Sequence, residues 1–146
     1  MSVPVNQRSH GKLEAYVKAY ELAGYTLKIT KNKKVFFDEY RECLTDRIAL
    51  AAVEIYLEVG TANDKQVRSA NDRKEYERRI ALQGKAIEQC GELIKLIVLA
   101  KSVFHLSSKR VKYWTGLVRE TRSLIKAWGD SDTRRFSPLF DEKGCG

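Results

Sequence analysis

The sequence has few helix-breaking residues and no long apolar run. Proline occurs only at positions 4 and 138 of 146 residues, so the stretch between them has no break of that kind. No apolar run approaches the ~18 residues that a membrane helix needs, and the start lacks an apolar secretion signal. The length suits one domain, and 43% apolar residues can fill one core. We expect one helical domain without a membrane partner.

Cysteine is also scarce. Its three positions are odd in number and far apart in the sequence: Cys43, Cys90 and Cys145. This spacing disfavours a disulfide framework and a zinc site, and we expect a reduced, cytoplasmic protein.

Histidine and glycine offer little material for catalysis or cofactor binding. Neither His10 nor His105 belongs to a Glu-x-x-His metal motif, and His105 is expected at the C-terminal end of a helix. The nine glycines form no phosphate-binding loop, and we expect Gly84 and Gly91 to allow close helix approach. The sequence therefore predicts no enzymatic activity, no metal and no cofactor.

Apolar residues recur in steps of three and four, the period of an α-helix, in four segments. The predicted helices are Lys12 to Ile29, a second one carrying the series from Phe37 to Val59, Asp72 to Phe104, and Ser107 or Ser108 to Trp128. Gly60 and Gly129 are expected to end the second and fourth helices. The predicted fold is all-α, an up-down-up-down antiparallel four-helix bundle over residues 11–129. Flexible segments are expected at residues 1–10 and 130–146.

The predicted fourth helix has an apolar face and a basic face. Trp114 and Trp128 lie on the apolar face, where we expect them to reach the core. Five cations share the opposite face and are called the basic stripe below: Lys109, Lys112, Arg119, Arg122 and Lys126. Glu120 is the only acidic residue between Ser107 and Trp128.

Charge is uneven along the chain, whose net charge is +8. Residues 35–61 carry a net charge of −4, whereas residues 1–34 carry +5 and residues 107–146 carry +4. An unbalanced basic face favours a polyanion such as RNA or an RNA–DNA hybrid, although a solvated face and an acidic protein partner are alternatives. Further candidate contacts are the basic turn of Lys31, Lys33 and Lys34, and the residues Arg73, Arg78 and Lys95.

Several segments resemble a known family. They include Leu96-Ile97-Val98-Leu99-Ala100-Lys101, Leu106-Ser107-Ser108-Lys109-Arg110, and Leu124-Ile125 with Trp128. These segments resemble the accessory variability determinant (Avd) proteins of diversity-generating retroelements, and the likeness extends from about Tyr16 to Trp128. The resemblance implies a ring-like homopentamer that binds a reverse transcriptase and its template RNA and supports mutagenic cDNA synthesis without being a catalyst.

A related family of bundles, encoded in intervening sequences of 23S ribosomal RNA, is the alternative. Its usual Ser-Ile-Pro-x-Asn-Ile-Ala-Glu-Gly stretch is missing here. Self-association is also expected from the residues alone, because the second helix and the end of the third are apolar on more sides than one bundle interior can bury.

Overall fold

A computed structural model describes the backbone of residues 3–141 and the side chains of residues 12–141. It contains four α-helices, and residues 3–141 include no strand. The helices are α1 (Val3–Thr30), α2 (Asp46–Asp64), α3 (Arg73–Phe104) and α4 (Ser108–Phe140). Short 3-10 helices at Asp38–Tyr40 and Ala70–Asp72, and a π-helical turn at Arg41–Thr45, lie in the connections. The predicted all-α fold with four helices is confirmed.

Each helix packs against the next one along the chain, and α4 packs against α1. The direction of α2 follows from two contacts with α1. Arg41, just before α2, donates to the carbonyl oxygen of Thr30, the last residue of α1. Near the other end, the hydroxyl groups of Tyr16 and Tyr56 are 3.0 Å apart. The two helices are therefore antiparallel, as expected for a bundle with short connections.

Both tryptophans are buried, as their positions on the apolar face of α4 predict. Trp114 is completely buried and its indole Nε1 donates to Thr26 Oγ1 at 3.0 Å, which satisfies its polar group. Trp128 is 2% exposed. At the end of the bundle that holds the α1–α2 connection, Phe36 contacts the rings of Phe104 and Trp114.

The helix ends partly follow the predictions. The hydroxyl group of Ser107 accepts from the backbone N–H of Arg110 and caps the start of α4. His105 ends α3 in the left-handed conformation, with φ 58°, so its predicted place at a helix C-terminus is confirmed. Gly60, however, does not end α2, because the helix continues to Asp64.

The fourth helix is longer than its sequence pattern predicts. It continues through Gly129 to Phe140, and Asp132, Phe136 and Phe140 are buried along this extension. The predicted end at Trp128 is therefore wrong, and so is the loose tail for residues 130–140. Residues 142–146 lie outside the described part of the chain. At the other end, α1 already begins at Val3, within the predicted N-terminal arm.

Candidate nucleic-acid interface

The basic stripe lies largely on the outer surface of α4. Lys109, Lys112, Arg119 and Lys126 are exposed, whereas Trp114 and Val118 on the opposite side of the helix are completely buried. Because an α-helix turns by about 100° per residue, this separation follows from the spacing of the residues. Among the described residues, no carboxylate forms an ion pair with any of the five stripe cations. Their charges therefore face solvent largely uncompensated.

Arg122 differs from the other four stripe residues because it turns towards α3. Its side chain is half-buried, and its Nη1 lies 3.9 Å from the position that a Cβ atom on Gly91 would take. Helical spacing alone does not specify this position, because the direction of a long side chain depends on the neighbouring helix. The stripe thus extends from the outer surface of α4 to its border with α3.

The glycines of α3 do not lie where another helix approaches closely. A Cβ atom on Gly84 would meet nothing within 4 Å, and the nearest atom to Gly91 belongs to the flexible side chain of Arg122. The expected close helix approach at these glycines is therefore wrong. Gly84 instead lines a groove of about 310 Å³ between α3 and α4, which Lys126 also borders.

The basic turn lies at the same end of the bundle as the start of α4. Lys31, Lys33 and Lys34 are exposed in the connection after α1. Phe36 follows them closely and contacts Trp114, near the start of α4. The sequence places this turn and Lys109 far apart, but the fold brings both to one end. Lys33 lies 3.7 Å from the carboxylate of Asp38, so part of the charge of this turn is compensated.

The candidate cations of α3 are spread along its length. Arg78 and Lys95 are exposed. Arg73 donates from Nη2 to the carbonyl oxygen of Phe140 at 2.7 Å, and its guanidinium lies 5.3 Å from the centre of the Phe140 ring. Arg73 therefore binds the last turn of α4, at the end of the bundle away from Lys109. Arg73, Arg78 and Lys95 belong to α3, whereas the residues of the basic stripe belong to α4.

Two exposed cations in the described part of α4, Arg134 and Arg135, lie beyond the helix end that the sequence pattern predicts. Arg134 is exposed eight residues after Lys126, on the extension of α4, and the acidic Asp130 lies midway between them. A helical wheel continued past Gly129 places Arg134 near the outer side of α4. The sequence pattern missed these cations because it predicts that the helix ends at Trp128.

Two polar clusters, one buried and one partly buried, lie away from the stripe. Asp132 accepts hydrogen bonds from Arg79 and Gln83 between α3 and α4. Between α2 and α3, the side-chain amide of Gln89 donates to both Glu54 and Glu58. Burial raises the pKa of the Glu58 carboxyl above its ordinary value. These contacts join helices, and none of these groups is presented to the outer surface of α4.

Cys90 is not suited to nucleophilic chemistry. Burial raises the pKa of its thiol to about 12, so the thiolate is scarce at neutral pH. The described residues contain no group of three or more His, Cys, Asp or Glu side chains that could hold a metal ion. Within the same part of the chain, no helix is both long and apolar enough to span a bilayer.

Comparisons of the chain with protein-family models, with curated proteins and with solved structures find no match.

Proposed function

We propose that this chain is a non-catalytic nucleic-acid-binding protein that acts as an accessory factor of a retroelement reverse transcriptase. Its basic stripe contacts the phosphates of RNA or of an RNA–DNA hybrid. Phosphate contacts carry no base sequence information, so binding depends on charge and shape rather than on a base code. The same proposal includes assembly into a homo-oligomer, for which the sequence resemblance suggests five chains.

The main support for nucleic-acid binding is the uncompensated positive charge on α4. Glu120, the lone acidic residue between Ser107 and Trp128, lies 3.6 Å from Lys18 of α1 and so is engaged with another helix. A solvated protein face usually mixes both signs of charge, and a one-sided basic surface raises the local concentration of polyanions. The reverse-transcriptase part rests on the sequence resemblance.

An exposed apolar face supports self-association. The exposed large apolar side chains of α1 and α2 are called the apolar face: Leu13, Val17, Tyr20 and Leu27 of α1, with Leu50 and Leu57 of α2. The rings of Tyr20 and Tyr56 lie 5.8 Å apart, which joins the two helices at this surface. Large contiguous apolar patches on a protein surface mark interaction sites. We assign this apolar face to a second copy of the chain.

The test of nucleic-acid binding is a salt series of filter-binding titrations with RNA and with an RNA–DNA hybrid. Each neutralised phosphate releases counterions, so five contacts on a single-stranded site give a slope of log affinity against log salt of about −3.5 per chain. Combined Lys112→Glu, Arg119→Glu and Lys126→Glu should abolish binding. These positions are exposed, so the thermal unfolding of the helices should not change.

The matched control reverses three exposed cations elsewhere, Arg47→Glu, Arg68→Glu and Lys74→Glu, with the same change in net charge. The control should retain most of the affinity. Unchanged affinity in the stripe variant would contradict the proposal and favour a bundle that contacts an acidic protein surface. Co-purification with a reverse transcriptase encoded beside the gene tests the accessory role separately.

A further inference from the structure

Tyr113 is an exposed aromatic residue within the basic end of α4. Its side chain is 54% exposed, although the neighbouring Trp114 is completely buried. Lys109 and Lys112 line the same surface hollow as Tyr113. A flat aromatic ring beside two cations is the combination with which proteins bind single-stranded nucleic acids.

The ring of Tyr113 is supported by Tyr25 and remains more than half exposed. It contacts the ring of Tyr25 of α1 edge-on, with the ring centres 5.0 Å apart and the planes at 67°. Tyr25 is half-buried and in turn meets Trp114 edge-on at 6.3 Å, which anchors the support in the core. Burial raises the pKa of the Tyr25 hydroxyl, and the nearby positive charge of Arg110 opposes this shift. Tyr113 is therefore positioned before any ligand arrives, which lowers the entropy cost of binding.

The space beside the ring is large enough for part of a nucleotide. The hollow has a volume of about 530 Å³, and Gly116 and the buried residue Leu117 are among the residues that line it. A Cβ atom on Gly116 would meet nothing within 4 Å, so the hollow is open at this position. Glu120 also borders the hollow, and its carboxylate faces Lys18 at 3.6 Å.

We propose that Tyr113 is a stacking platform for an unpaired base, with Lys109 and Lys112 on the adjoining phosphates. This inference rests on the proposed function and specifies its ligand as a single-stranded segment. In a duplex the bases stack on one another and their faces are unavailable, so a stacking platform distinguishes single strands from duplexes. Stacking is tolerant of base identity because every base has a flat face, which agrees with binding that lacks a base code.

The test compares the affinities of wild type and Tyr113 variants for a labelled oligouridine and for a labelled RNA duplex of the same length. Loss of one stacked base lowers affinity about five- to 150-fold, so Tyr113→Ala should lose this much for oligouridine and little for the duplex. Tyr113→Phe keeps the ring and should bind as wild type does. Tyr113→Leu keeps an apolar side chain without the ring and serves as the matched control, so it should behave like Tyr113→Ala.

The salt dependence separates this inference from the proposed function. Tyr113→Ala removes no charge, so the slope of log affinity against log salt should stay at the wild-type value while the affinity falls. If the stripe variant keeps its affinity, the proposed function fails. If the stripe variant loses binding but Tyr113→Ala or Tyr113→Leu binds oligouridine as wild type does, the stacking platform alone is overturned.

Discussion

Arg79 and Asp132 form a buried ion pair between α3 and the extension of α4. Arg79 Nε donates to Asp132 Oδ2 at 2.6 Å, and Nη2 donates to Oδ1 at 3.1 Å. The amide of Gln83 donates to the same carboxylate, and Nη1 of Arg79 donates to the carbonyl oxygen of Lys65 at 3.0 Å. One guanidinium therefore connects the α2–α3 connection, α3 and α4 at this end of the bundle.

Removing one partner of this ion pair should be strongly destabilising. Asp132→Ala leaves the guanidinium of Arg79 buried without its carboxylate, and breaking a buried pair in this way costs about 3–5 kcal/mol. Urea unfolding followed by circular dichroism measures the loss. Asp130→Ala, two residues away and exposed, is the control and should change stability by less than about 0.5 kcal/mol. A loss below about 1 kcal/mol in Asp132→Ala would show that the pair is not important for the fold.

The sequence predicts the fold well where the pattern is strongly periodic and poorly at the end of α4. The third helix was expected from Asp72 and begins at Arg73, because its apolar positions recur with the helical period. The extension of α4 was missed because Gly129 resembles a helix end and Asp132 resembles a solvent-exposed residue. Its burial depends on Arg79, which lies 53 residues earlier in the chain. Local periodicity contains no information about such a distant partner.

The two tryptophans should respond differently to the same substitution. The indole Nε1 of Trp128 is buried and has no hydrogen-bond partner, whereas that of Trp114 donates to Thr26. Trp128→Phe should therefore cost less than Trp114→Phe, by about 1 kcal/mol, the usual net value of one hydrogen bond. Denaturant melts of both variants measure the difference.

Thr26→Val is the control for this comparison, because it removes the acceptor and keeps the shape of the side chain. It should destabilise wild type more than it destabilises Trp114→Phe.

Complete truncation by Trp128→Ala should cost about 3–5 kcal/mol, as for other buried aromatic residues. A loss below about 1 kcal/mol would contradict the packing of Trp128 in the core.

Glu58 should make stability fall as pH rises above the ordinary carboxyl range. Burial raises its pKa in the folded protein above the ordinary 4.5, while its hydrogen bond from Gln89 and the charge of Lys85 oppose the shift. Between the two pKa values the folded state holds a proton that the unfolded state has released, so unfolding becomes easier as pH increases through this window. Glu58→Gln should therefore stabilise the protein at pH 7 relative to wild type.

Urea melts at about pH 4 and pH 7 measure this effect. The stability difference between Glu58→Gln and wild type should increase from the lower to the higher pH. Glu88→Gln, an exposed position on α3, is the control and should show no such increase. An equal difference at both pH values would mean that Glu58 is ionised in the folded protein as readily as in the unfolded chain.

The candidate interface was predicted as positions on a helical wheel rather than as a surface. The exposure of Lys109, Lys112, Arg119 and Lys126 follows directly from their spacing against the buried tryptophans. The turn of Arg122 towards Gly91 and the support of Tyr113 by Tyr25 depend on contacts between helices. Such contacts are set by the packing of elements that are distant in sequence, so they required the structure.

The exposed apolar face of α1 and α2 should mediate self-association. Tyr20 is 65% exposed and Leu50 is 57% exposed, yet neither has a role in the core of one chain. If a second copy covers this face, Leu50→Lys combined with Leu57→Lys places two charges in the contact and should produce monomers. Light scattering at micromolar concentration should then report an oligomer for wild type and a monomer mass for the variant.

Val98→Lys with Leu99→Lys, which changes exposed apolar residues of α3, is the matched comparison and shows whether the end of α3 belongs to the same contact. Because all four positions are exposed, the helical content of both variants should equal that of wild type. A monomer mass for wild type would overturn the self-association and leave the apolar face to a different protein partner.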